Sequence, residues 1–144
     1  WRSLRDESKA DLKGSDLFHH DSRRFEVATS CVPLMAGLRC SLELLKKQGS
    51  ADQRWDSIRK LSGNLWQALQ GLDRVKPLLE TAPASGLVSF QINGEVSPAE
   101  HVKHLGAQGL WIRDLADPSC LRACTHISTT GDDINALVAA ISAL

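Results

Sequence analysis

The sequence predicts an α+β domain in which a small antiparallel or mixed sheet is covered by helices on one face. Two observations support this prediction. Apolar residues recur at helical spacing in four segments, and four short apolar runs with turn residues beside them lie among those segments. The predicted order is helix, helix, strand, strand, helix, strand, strand, helix. Strands this short favour one small sheet with its helices on the same side.

Composition places the chain among folded globular proteins. It has 144 residues, 42% of them apolar and 24% charged, which is enough to bury a core. The formal net charge is zero, and this argues against a nucleic-acid or anionic-membrane partner. No apolar run is long enough to cross a bilayer, so we expect no membrane association. Because the first residue is Trp1, we expect the sequence to be part of a longer protein.

The four cysteines indicate the compartment. They form no CxxC pair and no disulfide framework, so we expect reduced, buried thiols in a cytoplasmic protein. The cysteines are Cys31, Cys40, Cys120 and Cys124.

Two helices are predicted in the first half, after a polar segment at 1–24 that we interpret as loop. The first helix opens near Pro33, has four leucines on one face and ends at Gly49. The second opens with a capping box from Ser50 to Gln53 and ends near Gly71. The leucines of the first helix are Leu34, Leu38, Leu42 and Leu45.

The second half alternates short strands with two helices. Strands are predicted at 75–79, 86–92, 110–113 and 120–125, the last two separated by Asp117-Pro118. A capping box at 97–100 opens the helix between the two pairs, and residues 130–133 cap a final helix.

Three local patterns resemble the class V aminotransferase fold, and within it the cysteine desulfurases and cysteine/cystine C–S lyases. Residues 24–30 read RFEVATS, residues 85–90 read SGLVSF, and residues 121–124 read LRAC ahead of an acidic turn at 130–135. All three are similar to segments of that family and occur in its order. The WRS at residues 1–3 also resembles the lyases.

The resemblance implies the C-terminal portion of a fold type I enzyme that uses pyridoxal 5'-phosphate (PLP). On this mapping, residues 1–48 are the tail of a large domain that binds most of the cofactor and is mostly absent from this sequence. Residues 49–144 are the small C-terminal domain, which closes over the substrate. The family also implies a homodimer.

Arg122 is the first candidate substrate-binding residue. Strand alternation places Cys120, Arg122 and Cys124 on one face, and an arginine buried in such a strand needs an anionic partner. A substrate carboxylate fits its planar fork, and a structural Asp or Glu is the alternative. The family resemblance places an arginine that binds the α-carboxylate here.

Arg113 is the second candidate, at the end of the preceding predicted strand. In the lyases a matching arginine faces the far end of the substrate, where cystine has a second carboxylate. The alternative is an exposed arginine paired with Asp114 or Asp117.

Thr29 and His126 are further candidates. A threonine at a helix N-terminus can bind phosphate, and in the family the matching residue reaches the cofactor of the neighbouring subunit. Ala28 stands where the family has glycine, and a plain helix cap is the alternative. His126 follows the last strand and lies near the substrate on this mapping, although a structural histidine is the commoner case. His19 and His20 lack further ligands at metal spacing, so no metal site is predicted.

Cys120 bears on the choice of reaction. Desulfurases of this family carry a nucleophilic cysteine on a mobile loop between the two arginine-bearing strands. Only residues 114–121 separate Arg113 from Arg122, which leaves little room for such a loop. A persulfide-carrying Cys120 is therefore a minor hypothesis.

The resemblance leads us to expect β-elimination on cysteine or cystine, giving pyruvate, ammonia and a thiol or persulfide. We expect the 144-residue chain to have no lyase activity by itself. Alternatives are a desulfurase that passes sulfur to an iron–sulfur assembly acceptor, another class V transaminase or epimerase, and a non-catalytic interaction domain.

Overall fold

The computed structural model describes residues 18–25 and 30–144, and the chain divides between Lys47 and Gln48 into two compact units. The first unit contains a 3-10 turn, Ser22–Phe25, and helix α1, Val32–Lys47. The second contains the sheet and three helices. Its elements are α2 (Ala51–Gln70), β1 (Val75–Pro77), β2 (Leu87–Ile92), α3 (Pro98–Ala107), β3 (Arg113–Ala116), β4 (Ser119–Cys124) and α4 (Gly131–Ser142).

The strands form one antiparallel sheet in the order β1-β2-β4-β3. The central strands β2 and β4 pair from Leu87 with Cys124 to Phe90 with Leu121. The α+β fold class predicted from the sequence is confirmed, and the sheet is antiparallel rather than mixed.

The core lies between the sheet and all three helices of the second unit. Alternate side chains of β2 and β4 enter it, as the twofold periodicity of a strand requires. Phe90 and Leu121, which face each other across the two strands, are fully buried. The buried apolar residues are Leu65, Leu69, Val75, Val88, Phe90, Leu105, Leu121, Ala123, Ile134, Leu137 and Ile141.

Because the three helices share one side, the opposite face of the sheet carries no helix of this unit. We call it the open face. The strand residues whose side chains alternate onto it are Lys76, Leu87, Ser89, Gln91, Arg113, Leu115, Cys120, Arg122 and Cys124.

Capping boxes fix the first turn of each helix in this unit. Ser50 and Gln53 cap α2, and Ser97 and Glu100 cap α3, as predicted. The same reciprocal bonds join Thr130 and Asp133 at α4, which sharpens the predicted acidic cap. Each box satisfies backbone N–H groups that have no partner inside the helix.

The third strand lies three residues later than predicted. Leu110 and Ile112 are apolar because they pack partly buried against the core from the α3–β3 connection, outside any strand. The strand begins at Arg113, and two residues, Asp117 and Pro118, connect it to β4. Arg113 therefore begins this strand, whereas the sequence predicted that it ends one.

No helix in residues 18–25 and 30–144 combines the length and the apolar character that crossing a membrane requires.

Candidate functional site

The open face places the two predicted arginines side by side. The β3–β4 register pairs Arg113 directly with Arg122, so both side chains leave the same face from neighbouring strands. The Cβ atoms of such antiparallel partners are typically about 4.5–5.5 Å apart. Arg122, on a central strand, is half-buried, and Arg113, on the edge strand, is exposed.

Neither guanidinium has a hydrogen bond or ion pair with any residue of the second unit, all of which the structure describes. Asp114 lies on the opposite face of the sheet from the two guanidinium groups. It pairs with Leu121, which points into the core, so strand alternation places both side chains on the helix side. Within the second unit, the alternative of a structural ion pair is therefore not supported. Arg122 is half-buried, so its guanidinium keeps access to solvent or a ligand, and its expected pairing with a substrate carboxylate stays a prediction.

The open face is electropositive. The four strands contain three cationic residues, Lys76, Arg113 and Arg122, and all three lie on this face. The single carboxylate in the strands, Asp114, lies on the other. Like charges placed directly opposite each other destabilise a sheet, and a bound anion relieves that repulsion. The arrangement is suited to one or two carboxylates.

Cys120 lies on the same strand as Arg122, but its side chain is shielded from solvent. Its side chain is 1% exposed, and burial raises the pKa of the thiol against the smaller opposing effect of the Arg122 charge. A sulfur nucleophile reacts as the thiolate, which this environment disfavours. The two-residue connection between β3 and β4 also leaves no mobile loop to carry a cysteine.

The other cysteines correct the expectation of buried thiols. Cys31, Cys40 and Cys124 are exposed and unpaired, and only Cys120 is buried. Cys124 ends β4 on the open face, opposite the exposed Leu87. The strand periodicity correctly placed Cys124 on the same face as Arg122. The sequence alone could not show that no other side chain shields this end of the strand from solvent.

His126 is held in a local turn beyond β4. Its backbone N–H donates to the Thr129 hydroxyl at 2.9 Å, and its ring Nδ1 is 3.1 Å from the Ser128 hydroxyl. The ring is exposed, and its hydrogen bonds within the second unit join it to Ser128 and not to either arginine. Thr29 lies outside the described residues, as do residues 26–28 beside it.

The described residues do not form a metal site or a site for a cofactor-linked lysine. No three His, Cys, Asp or Glu side chains cluster at metal-binding distance within residues 18–25 and 30–144. A lysine that reacts with a carbonyl group is activated by desolvation, whereas every lysine in this part of the chain is exposed. These are Lys46, Lys47, Lys60, Lys76 and Lys103.

Ser89 is a residue of the open face that the sequence analysis missed. It lies beside Arg122 in the β2–β4 register. The signal was present in the alternation of SGLVSF, where Ser89 interrupts Val88 and Phe90, but its neighbour across the sheet depended on the register.

Comparison with known proteins gives matches among solved structures only, since no family model and no curated protein matches the sequence. The cystine C–S lyase C-DES is 38% identical with a TM-score of 0.82, over 99% of this chain and 36% of that one. Its structures hold glycine covalently linked to PLP and, in a second complex, the reaction product cysteine persulfide. The cysteine desulfurase CsdA from Escherichia coli is 24% identical with a TM-score of 0.69, over 92% of this chain and 35% of that one.

The chain thus spans about a third of the length of the enzymes that it matches. The fold is that of the C-terminal domain of C-DES-like enzymes. The chain is similar to the C-terminal portion of the cystine C–S lyase and cysteine desulfurase group, and the resemblance predicted from the sequence is confirmed.

Proposed function

We propose that this chain is the C-terminal part of a PLP-dependent cysteine/cystine C–S lyase, in which Arg122 and Arg113 bind the carboxylates of the substrate. The observation that carries the proposal is the pair of adjacent arginines on the open face, which have no anionic partner in their own unit. The similarity to a cystine C–S lyase at 38% identity supports the reaction class.

The two arginines suit different parts of cystine. Arg122 is half-buried on a central strand, where a bidentate bond to the α-carboxylate is partly shielded from water. Arg113 is exposed on the edge strand, so it can take the carboxylate at the far end of the molecule. Cysteine has one carboxylate and cystine has two, and the pair therefore favours cystine.

The proposed reaction is a β-elimination. Cystine and one water give pyruvate, ammonia and cysteine persulfide, with the C–S bond broken and no external oxidant or reductant. PLP, when bound, supplies the electron sink for the α-carbon. As the family resemblance implies, we place the proton-transferring lysine in the part of the enzyme outside this chain; the lysines that the structure describes are all exposed. This domain binds and orients the substrate.

Desulfuration is the second candidate, favoured by the structural similarity to CsdA. It needs a thiolate that can reach the substrate. The buried Cys120, with its raised pKa, and the two-residue β3–β4 connection make the described hairpin a poor source of one.

Product analysis distinguishes the two reactions. The complete enzyme that contains this chain is supplied with cystine and then with cysteine, and the products are quantified. We expect pyruvate and ammonia in equal amounts. Alanine in place of pyruvate would establish desulfuration and return Cys124 and Cys120 to consideration as sulfur acceptors.

The arginine roles are tested by Arg122→Gln and Arg113→Gln in the complete enzyme. We expect Arg122→Gln to raise KM for both substrates by about 10- to 100-fold, the usual effect of losing a hydrogen bond between charged groups. Arg113→Gln should raise KM for cystine and leave that for cysteine nearly unchanged. Arg59→Gln, at an exposed position of α2, is the control. Equal effects of Arg113→Gln on the two substrates would contradict the assignment of Arg113 to the far carboxylate.

A further inference from the structure

Three neighbouring strands place three polar side chains in one line across the open face. Ser89 of β2 pairs with Arg122 of β4, and Arg122 pairs with Arg113 of β3. Side chains of direct antiparallel partners share a face, so the Ser89 hydroxyl and the Arg122 side chain start from adjacent positions. Ser89 lies on the side of Arg122 away from Arg113.

The Ser89 hydroxyl has no structural role in this unit. Backbone bonds hold its strand on both sides, including the bond from the Leu78 N–H to the Ser89 carbonyl at 2.9 Å. The side chain is half-buried and makes no hydrogen bond within residues 48–144. Gln91, the next open-face residue on β2, differs because its amide donates to the Ser119 carbonyl at 2.9 Å.

A substrate carboxylate bound by Arg122 can accept one more hydrogen bond from a neighbouring donor. A bidentate guanidinium occupies one side of the two carboxylate oxygens, which together offer about four acceptor positions. A hydroxyl beside the arginine can donate to one of the remaining positions. The open-face parts of the strands offer no carboxylate that would compete for it.

We propose that Ser89 is a third substrate-binding residue, whose hydroxyl donates to the α-carboxylate held by Arg122. The inference rests on the proposed function, because it requires that Arg122 binds that carboxylate. Arg122 fixes the plane of the carboxylate, and Ser89 fixes which oxygen lies toward β2. The Ser89 side chain thereby limits rotation of the substrate about its bond to the guanidinium.

The test compares Ser89→Thr with Ser89→Val in the complete enzyme. The two side chains have the same shape and both suit a strand, but only threonine keeps the hydroxyl. We expect Ser89→Thr to retain the KM values of the unchanged enzyme. Ser89→Val should raise KM for cystine and cysteine alike by about tenfold, as expected for one hydrogen bond to a charged group. Inhibition by glutarate, a dicarboxylate that cannot react, should weaken by the same factor.

Double mutants test whether Ser89 and Arg122 act on the same carboxylate. Ser89→Val should add little in an Arg122→Gln enzyme, because both changes act on one carboxylate, and it should act independently of Arg113→Gln. Equal KM and inhibition values for the threonine and valine variants would overturn the inference while leaving the arginine assignment intact. An Arg122→Gln enzyme with unchanged KM would instead overturn the proposed function. Should Ser89→Val fail to fold, Ser89→Ala takes its place against Ser89→Thr, with the same expected difference.

Discussion

Gly86, immediately before β2, shows how one residue allows two segments to approach closely. Its carbonyl accepts hydrogen bonds from the Thr125 N–H at 2.8 Å and the Thr125 hydroxyl at 3.2 Å. A Cβ at this position would overlap the Thr125 carbonyl oxygen and approach Ile58 Cγ2 to 2.9 Å. The glycine of the SGLVSF segment is therefore required by close packing of backbone against backbone.

Gly86→Ala should destabilise the chain by about 1–3 kcal/mol, because overpacking against backbone cannot be relieved by a rotamer change. Urea unfolding of the 144-residue chain measures the difference. Gly131→Ala is the matched control, since a Cβ there meets no atom within 4 Å. Equal stabilities of the two variants would show that the backbone at Gly86 can move aside.

Arg113 and Arg122 repel each other when no anion is bound. Arg113→Gln should therefore stabilise the chain by about 0.2–1 kcal/mol at low salt, the usual range for cross-strand charge pairs. The gain should disappear at about 1 M salt, where charges more than about 3 Å apart are screened. Thermal unfolding at the two salt concentrations measures it, with Arg59→Gln as the control. A gain that persists at high salt would indicate a cause other than repulsion.

At the scale of the elements, helix starts were the most predictable features. The capping boxes of α2 and α3 were predicted from four-residue signals, and the structure confirms both. A capping box can be recognised from sequence because its bonds are local, joining residues three apart. In the α3 box, hydrogen bonds from the Ser97 hydroxyl and backbone N–H lower the pKa of the Glu100 carboxyl.

That lowered pKa predicts the direction of an acid effect on stability. The folded chain binds the Glu100 proton less tightly than the unfolded chain does, so the carboxylate contributes stability above its ordinary pKa. This contribution is lost as the pH falls from about 5 to 3. Glu100→Gln keeps the acceptor and cannot titrate, so its melting temperature should fall less over this range. Glu80→Gln, outside any cap, should behave like the unchanged chain.

Strand β3 shows the limit of local signals. The apolar residues Leu110 and Ile112 suggested a strand, but they pack against the core from the α3–β3 connection, outside any strand. The strand itself, Arg113–Ala116, has a polar start and is defined by its pairing with β4. A strand at the edge of a sheet needs only one partner and little burial, so periodicity does not identify it. The pairing of Arg113 with Arg122 therefore could not be predicted from the sequence, although both residues were predicted to bind substrate.

At the scale of the whole molecule, the proposed function divides the work between this chain and the rest of the enzyme. The second unit has its own core and a positively charged open face, but no described lysine in a desolvated setting. The sequence could suggest this division only through family resemblance, because periodicity does not indicate what covers a sheet face. The predicted boundary near residue 48 and the role of residues 1–48 in a cofactor domain stay predictions.

The isolated 144-residue chain should have no C–S lyase activity, even with added PLP and cystine. On the proposed division of roles, this chain holds the substrate carboxylates, and the reactive lysine belongs to the rest of the enzyme. Pyruvate release is the measurement, with the complete enzyme under identical conditions as the control. Turnover by the isolated chain would contradict the proposed division of roles.

The two-residue turn at Asp117-Pro118 gives the site a property useful for engineering. It makes residues 113–122 a self-contained hairpin in which the spacing of the two guanidinium groups is set by pairing alone. Moving Arg113 to position 115 or Arg122 to position 124, two positions along its strand, would keep the side chain on the open face and shift its charge by about 7 Å. Under the proposed function, such variants should favour substrates with a different distance between their two carboxylates, and the core would stay unchanged.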